Sequence, residues 1–331
     1  MKKLSPAVGL CAALFVSVSV MVAPLAIAEP GAATETSGVT TLENVKDLKT
    51  TPGLSGTVVT EDHVEPNDNA GMTFTVENRK PEGTEGDIAV PLVDGKWAVP
   101  KDIPNSPTNP VDKAAADSAI TRAQTFIDAG TDLKWNAQKP SPVTTNEIVH
   151  QKSSKPYGVT CSSFVGMVLK GWDYQHTTYV SDTNKTVGPW VDFGDNGAAT
   201  DPNMDLWQAH KLARWFHTHG DLWVADGNQG LEPGDIIFLS EQKPEGKDAN
   251  TGTYFGNVYH AALYVGNNKV IHSYGESSGA GVVEQEYSDH LRDKTSFIAR
   301  PSWSRAQDAD APGTDPEPQF EHDIQKGQLS H

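Results

Sequence analysis

The chain has 331 residues, with 43 acidic against 26 basic side chains and a formal net charge of −17. That balance argues against nucleic acid or an anionic membrane surface as a partner and suits a soluble surface. The length allows one to two domains, and the two cysteines, Cys11 and Cys161, leave little room for disulfide chemistry.

Lys2 and Lys3 form a positive start, Val8 to Ala26 is apolar, and Ala26-Ile27-Ala28 is a small-x-small cleavage site. Residues 1–28 are therefore read as a signal peptide cut after Ala28, rather than a membrane anchor. Cys11 follows Leu10, not the small residue that precedes a lipid-modified cysteine. Cleavage takes Cys11 away, so the exported chain keeps one thiol, and its charge falls to about −19 as Lys2 and Lys3 go. An unpaired thiol outside the cell points to a bridge between chains or to a reactive side chain. No second long apolar run follows, so the mature chain is expected to be free of the membrane.

Residues 29–52 are small and polar and read as a flexible leader. Residues 53–100 read as a small all-β module. Ser55 to Thr60 and Met72 to Val76 alternate, and Asp94-Gly95 is a hairpin signal between Ile88–Val93 and Lys96–Val99. Its Asp94-Gly-Lys-Trp-Ala-Val99 ending resembles the small immunoglobulin-like modules of bacterial surface proteins. Four prolines from Pro100 through Pro110 make residues 101–111 a linker. A helix follows, with Ala114, Ile120, Ala123, Phe126 and Ile127 as its apolar stripe and Gly130 as its stop. After Leu133-Lys-Trp-Asn136 comes a Pro/Ser/Thr-rich loop.

That loop ends at Cys161. Phe164, Val165, Val168, Leu169 and Trp172 then repeat at helical spacing, so the thiol sits at a helix start. Unpaired N–H groups and the helix dipole favour a thiolate there; the plainer reading is a small buried residue. Asp182 to Asn203 reads as a polar insertion or lid. Met204 to His219 reads as a helix whose apolar face is Leu206, Trp207, Leu212, Trp215 and Phe216. The tryptophans at 172, 190, 207, 215 and 223 read mostly as core, with one or two free to wall a groove for sugar or peptide.

Leu231-Glu-Pro-Gly-Asp-Ile-Ile-Phe-Leu239 reads as a turn entering a buried strand. Val258–Val265 and Lys269–Tyr274 are two more strands, joined at Gly266-Asn267-Asn268. A turn centred near Asn267 pairs residues whose numbers add to about 534, and His260 and His272 come within about two of it. The two histidines are therefore expected side by side on one face. Two imidazoles paired by register, in a chain with one free thiol, read as a base and the group that orients it. His217-Thr-His219 lacks the spacing of a zinc site, so no metal or cofactor is expected. Residues 304–331 read as an acidic tail without a core pattern.

Four stretches now match a family pattern in order: Thr160-Cys-Ser-Ser-Phe-Val165, Leu231-Glu-Pro-Gly-Asp-Ile-Ile-Phe238, His260-Ala-Ala-Leu-Tyr-Val-Gly266 and Ile271-His-Ser273. Over residues 112–303 the chain resembles the NlpC-type cell-wall cysteine peptidases. The resemblance implies an α+β, papain-like catalytic domain with an antiparallel sheet and the nucleophile at a helix N-terminus, here preceded by the β-module. It implies Cys161 as nucleophile, His260 as general base and His272 as its orienter. Thr160 stands where the family has Asp and Ser163 where it has Gly. Leu133 takes the place of a Tyr that assists the oxyanion hole, so Ser162, Tyr157 and Trp135 become the candidates around substrate and oxyanion. The implied substrate is the peptidoglycan stem peptide, cut at the γ-D-glutamyl to diamino-acid bond, by a secreted monomer at the cell wall. Two alternatives stay open: a thiol amidase or acyltransferase like the related CHAP amidases, and a non-catalytic wall-binding or adhesive protein.

Overall fold

The computed structural model describes residues 34–36, 38–64, 66–135, 155–176, 186–193, 208–225, 230–242, 254–274 and 281–305. The expected signal peptide, the loop at 136–154, most of the 182–203 insertion, Met204 to Trp207 and the tail beyond 305 lie outside the described residues.

The first part is a six-stranded sheet with two short helices. It comprises β1 (Thr34–Thr36), β2 (Val39–Leu42), α1 (Val45–Thr50), β3 (Gly56–Thr60), β4 (Thr73–Glu77), α2 (Gly83–Ile88), β5 (Val90–Pro91) and β6 (Trp97–Pro100). The strand order is β1-β2-β3-β4-β6-β5, with β2 parallel to β3 and the other pairs antiparallel. The hairpin at Asp94-Gly95 forms, closed by Leu92 N–H donating to the Lys96 carbonyl at 2.9 Å. Ile88, expected extended, is the last helical residue of α2.

Within the expected leader, β2 and α1 form. Asn44 caps α1, its Oδ1 accepting from the Lys46 and Asp47 N–H groups at 2.9 and 3.1 Å, and Leu48 is fully buried. Val45 and Leu48, three residues apart, give this short helix one buried face, next to the buried end of β2 at Leu42.

The second part begins with α3 (Lys113–Asp128) and runs through β7 (Leu133–Trp135), β8 (Tyr157–Val159), α4 (Cys161–Leu169), β9 (Trp190–Val191) and α5 (Ala209–Thr218). Then come β10 (Leu222–Val224), β11 (Ile236–Ser240), β12 (Val258–Gly266), β13 (Lys269–His272), β14 (Val283–Glu286), α6 (Asp289–Lys294), β15 (Thr295–Ala299) and β16 (Trp303–Ser304). Its main sheet is antiparallel with order β10-β15-β11-β12-β13-β14. One face meets α4 and α5 through Phe164, Leu212, Phe216, Phe238 and Leu263. The other buries Trp223, Ile237, Val270, Leu291 and Ile298. The fold is α+β, with the thiol helix packed on an antiparallel sheet. In α3 the buried stripe is Ala115, Ala116, Ala119, Ala123 and Phe126, while Ala114 is exposed. Trp172, Trp215 and Trp223 are core and Trp190 is half-buried; Trp207 lies outside the described residues.

The two parts share one hydrophobic cluster that runs from Leu48 and Ile88 to Phe255 and Phe297. The side-chain amides of Gln242 and Asn257 donate to backbone carbonyls at the end of α2, and Arg214 pairs with Asp68 at 3.3 Å, both buried. Residues 101–111 do not act as a spacer either. Val224 N–H donates to the Pro104 carbonyl at 2.8 Å, and Thr108 Oγ1 to the Gly220 carbonyl at 2.9 Å. A proline lacks a donor but keeps its carbonyl, so a Pro-rich segment can still dock.

Candidate active site

Cys161 is the first residue of α4, held by two reciprocal hydrogen bonds. Thr160 Oγ1 accepts from Ser163 N–H at 3.1 Å, and Ser163 Oγ accepts from Thr160 N–H at 2.8 Å. This is a capping box. The two departures from the family pattern, Thr160 and Ser163, therefore belong together: each satisfies a helix-start N–H that would otherwise be orphaned. At the far end of α4, Arg122 from α3 donates Nε and Nη2 to the Val168 carbonyl at 3.1 and 2.9 Å. The helix is thus fixed at both ends.

The thiol itself is buried at 9% exposure. The N–H groups of Ala261, Ser162 and Cys161 and the Ser162 hydroxyl pull its pKa down, yet burial outweighs them and pushes it up. The thiolate expected from the helix start is not the resting form. Sequence shows the helix dipole; it does not show that α4 is pressed against β12, which excludes the water a thiolate needs.

The histidines fall as the register predicts. Leu263 opposes Ile271 and Tyr264 opposes Val270, and the turn is made by Asn267 and Asn268 at φ 50° and 59°. Asn tolerates this left-handed region, which suits a tight hairpin. Nε2 of His260 lies 2.8 Å from Nδ1 of His272. Burial drives the pKa of His260 well down, helped by the neighbouring imidazole, and pushes His272 down to about 4. Both rings are neutral at pH 7.

Three further residues shape the site. Ser273 Oγ donates to the Val159 carbonyl at 2.9 Å and is buried, joining the strand end after His272 to the segment that leads into Cys161. Tyr274 stacks on His272 with ring centroids 5.2 Å apart and meets His260 edge-on at 6.2 Å. At 40% exposed, it presents an aromatic face beside His260. Ala261 N–H reaches the sulfur from the strand that carries His260. Ser273 and Ala261 lie within the matched stretches but carry no sign there of these contacts, and Tyr274 is an aromatic two residues beyond His272.

The weaker candidates separate. Ser162 is fully buried, and its Oγ has no hydrogen-bond partner among the described residues; it lies near enough to the sulfur to act on it but is closed off from a substrate. Tyr157 is half-buried on β8, acting on Lys155 and Tyr174. Trp135 is half-buried on β7, opposite Val159. Among the described residues no group of three or more His, Cys, Asp or Glu side chains could hold a metal ion, and no helix is long and apolar enough to cross a membrane.

No protein-family model and no curated protein matches the chain. Solved structures similar to it include many NlpC/P60 proteins. The NlpC/P60 family protein of Bacillus cereus is 16% identical at TM-score 0.28, over 64% of this chain and 50% of its own; this chain thus spans about half the length of that protein. The NlpC/P60 domain of the peptidoglycan hydrolase SagA is 16% identical at TM-score 0.28, over 56% of this chain and 97% of its own. The peptidoglycan hydrolase RipB of Mycobacterium tuberculosis is 12% identical at TM-score 0.26, over 57% and 68%.

Proposed function

We propose that the chain is an exported cysteine peptidase of the cell wall that cuts peptidoglycan stem peptides at the γ-D-glutamyl to diamino-acid bond. The observation that carries the chemistry is the 2.8 Å bond between His260 Nε2 and His272 Nδ1, on the strand whose next residue touches the sulfur of Cys161. The substrate class rests on the four family stretches and on the export signal read in residues 1–28.

The bond direction follows from what the base must do. His260 can take a proton at Nδ1 only if Nδ1 is bare, so its own proton is on Nε2 and is donated to His272 Nδ1. The resting pair is a neutral thiol and a neutral imidazole. As the sulfur attacks the peptide carbonyl, the thiol proton passes to Nδ1 of His260, and His272 stabilises the imidazolium. The oxyanion is met by the Cys161 backbone N–H at the helix start. His260 then gives the proton to the leaving amine, and the acyl-enzyme forms. Water attacks it with His260 again as base, which frees the acid and restores the thiol.

Digestion of purified wall followed by mass spectrometry tests this reading. The expected products are peptides with a new diamino-acid N-terminus, absent with Cys161→Ala. Intact stem peptides freed from muramic acid would make the enzyme an amidase. No product at all, with Cys161 unlabelled by thiol reagents until denaturation, would favour the wall-binding alternative.

A further inference from the structure

The relay does not end at His272. With Nδ1 of His272 accepting from His260, a neutral His272 must carry its proton on Nε2. That nitrogen is buried and has no hydrogen-bond partner among the described residues. A buried N–H without an acceptor is costly, and here it has a further consequence. If the His272 proton moves to Nδ1, the bond to His260 reverses. His260 then accepts at Nε2, holds its own proton on Nδ1, and cannot take one from Cys161. The competent and dead forms of the site differ only in tautomer.

The polar group next to His272 is Gln285. It lies on β14, where Val270 opposes Gln285 and His272 opposes Val283, so by strand alternation Gln285 shares the face of His272 one pair along. It is half-buried. Its side chain acts on the imidazole as an acceptor does, raising the ring's pKa against burial, though the contact falls short of a full hydrogen bond here. Nδ1 is taken by His260, which leaves Nε2 for Gln285. Tyr274, stacked flat on His272, restricts ring rotation and keeps Nε2 in that direction.

From this we infer that Gln285 is a positioning residue. Its amide oxygen accepts from His272 Nε2–H and thereby holds His272 and His260 in the tautomers that leave Nδ1 of His260 bare for the thiol proton. No group is transferred; one proton position is selected. The inference rests on the catalytic reading of Cys161 and His260, but its test does not depend on activity alone.

Long-range proton–nitrogen NMR on the full chain reports which ring nitrogen is protonated. Wild type is expected to show both histidines protonated at Nε2. Gln285→Leu should move a large share of His272 to the Nδ1–H form and lower kcat about 10–100-fold, the usual cost of losing such an outer partner, with KM unchanged. Gln285→Glu keeps an acceptor and should keep the wild-type tautomers and kcat within a few-fold, which a merely structural role would not predict. Unchanged tautomers in Gln285→Leu would overturn the inference, as would equal loss of kcat in both variants. A wild-type protein without hydrolytic activity would sink the proposed function, while the tautomers would still decide the role of Gln285.

Discussion

Two places among the described residues bury a pair of histidines. At the hairpin, His260 and His272 are aligned nitrogen to nitrogen at 2.8 Å, beside a thiol and under an exposed tyrosine. Where the N-terminal sheet meets the second part, His63 and His210 lie near each other beside the buried Arg214–Asp68 pair. There His210 packs edge-on against Tyr254 at 4.3 Å and His63 against Phe255 at 5.4 Å, and neither ring nitrogen of His210 has a partner among the described residues. Burial lowers the pKa of His210 as it lowers those of His260 and His272. Burial and a shifted pKa therefore do not mark the site. What sets the hairpin pair apart is a nitrogen-to-nitrogen bond on the strand whose Ala261 N–H reaches the Cys161 sulfur, beside the partly exposed Tyr274.

The comparison assigns the His63–His210 region a structural task, and the hardest way to test that is to remove it. A chain beginning at Asp112 loses the partners of Phe255, Arg214, Gln242 and Asn257. It is expected to come out insoluble or to melt without cooperativity; a soluble, sharply melting product would break the shared-core account. A smaller cut at the same place, Asp68→Ala, leaves Arg214 as a buried unpaired charge and should cost about 3–5 kcal/mol in denaturant unfolding. An effect under about 1 kcal/mol would show that water reaches that pair.

These regions differ just as much in how far they could be read in advance. The hairpin register was legible because Asn267-Asn268 is local turn chemistry and strand pairing follows from it arithmetically. The capping box was visible as Thr160 and Ser163 but read as two departures from a pattern, because its logic lies in the pair. The burial of Cys161, the link from Ser273 to Val159 and the place of Gln285 are tertiary facts with no periodicity to carry them. The docked parts of the expected leader and linker share one reason: composition describes what faces water, whereas Leu48, Ile103 and the Pro104 carbonyl face inward.

Acid should weaken both places in the same direction, through His260 and His272 at one and His210 at the other. His272 has a folded pKa of about 4, below the ordinary 6.5, so the unfolded chain binds more protons between these values. Its stabilisation is full above pH 6.5 and is lost as pH falls through 4, about 3 kcal/mol in all. His260 and His210 add to the same slope, their pKa values lowered too. Cys161 acts at the other end, since its raised pKa makes the fold lose stability as pH climbs above about 9. Stability measured by urea from pH 4 to 7 should rise with pH. Replacing His210 with Phe should flatten part of that slope; an unchanged slope would remove His210 from the account.

The smallest effect expected is at the helix cap. Thr160→Ala removes one capping bond and should cost about 1 kcal/mol, with Thr160→Ser close to wild type. No difference between the two would mean that the capping box adds nothing.

The most direct test sets the two histidine pairs against each other in one assay of peptide release from purified wall. His260→Ala should lower the rate by about 100- to 10,000-fold, and Cys161→Ala should abolish release. His210→Phe, at the pair without a nucleophile, should release peptides at close to the wild-type rate. Wild-type release by Cys161→Ala, or equal losses in His260→Ala and His210→Phe, would contradict the assignment of the hairpin pair as the base of a thiol hydrolase.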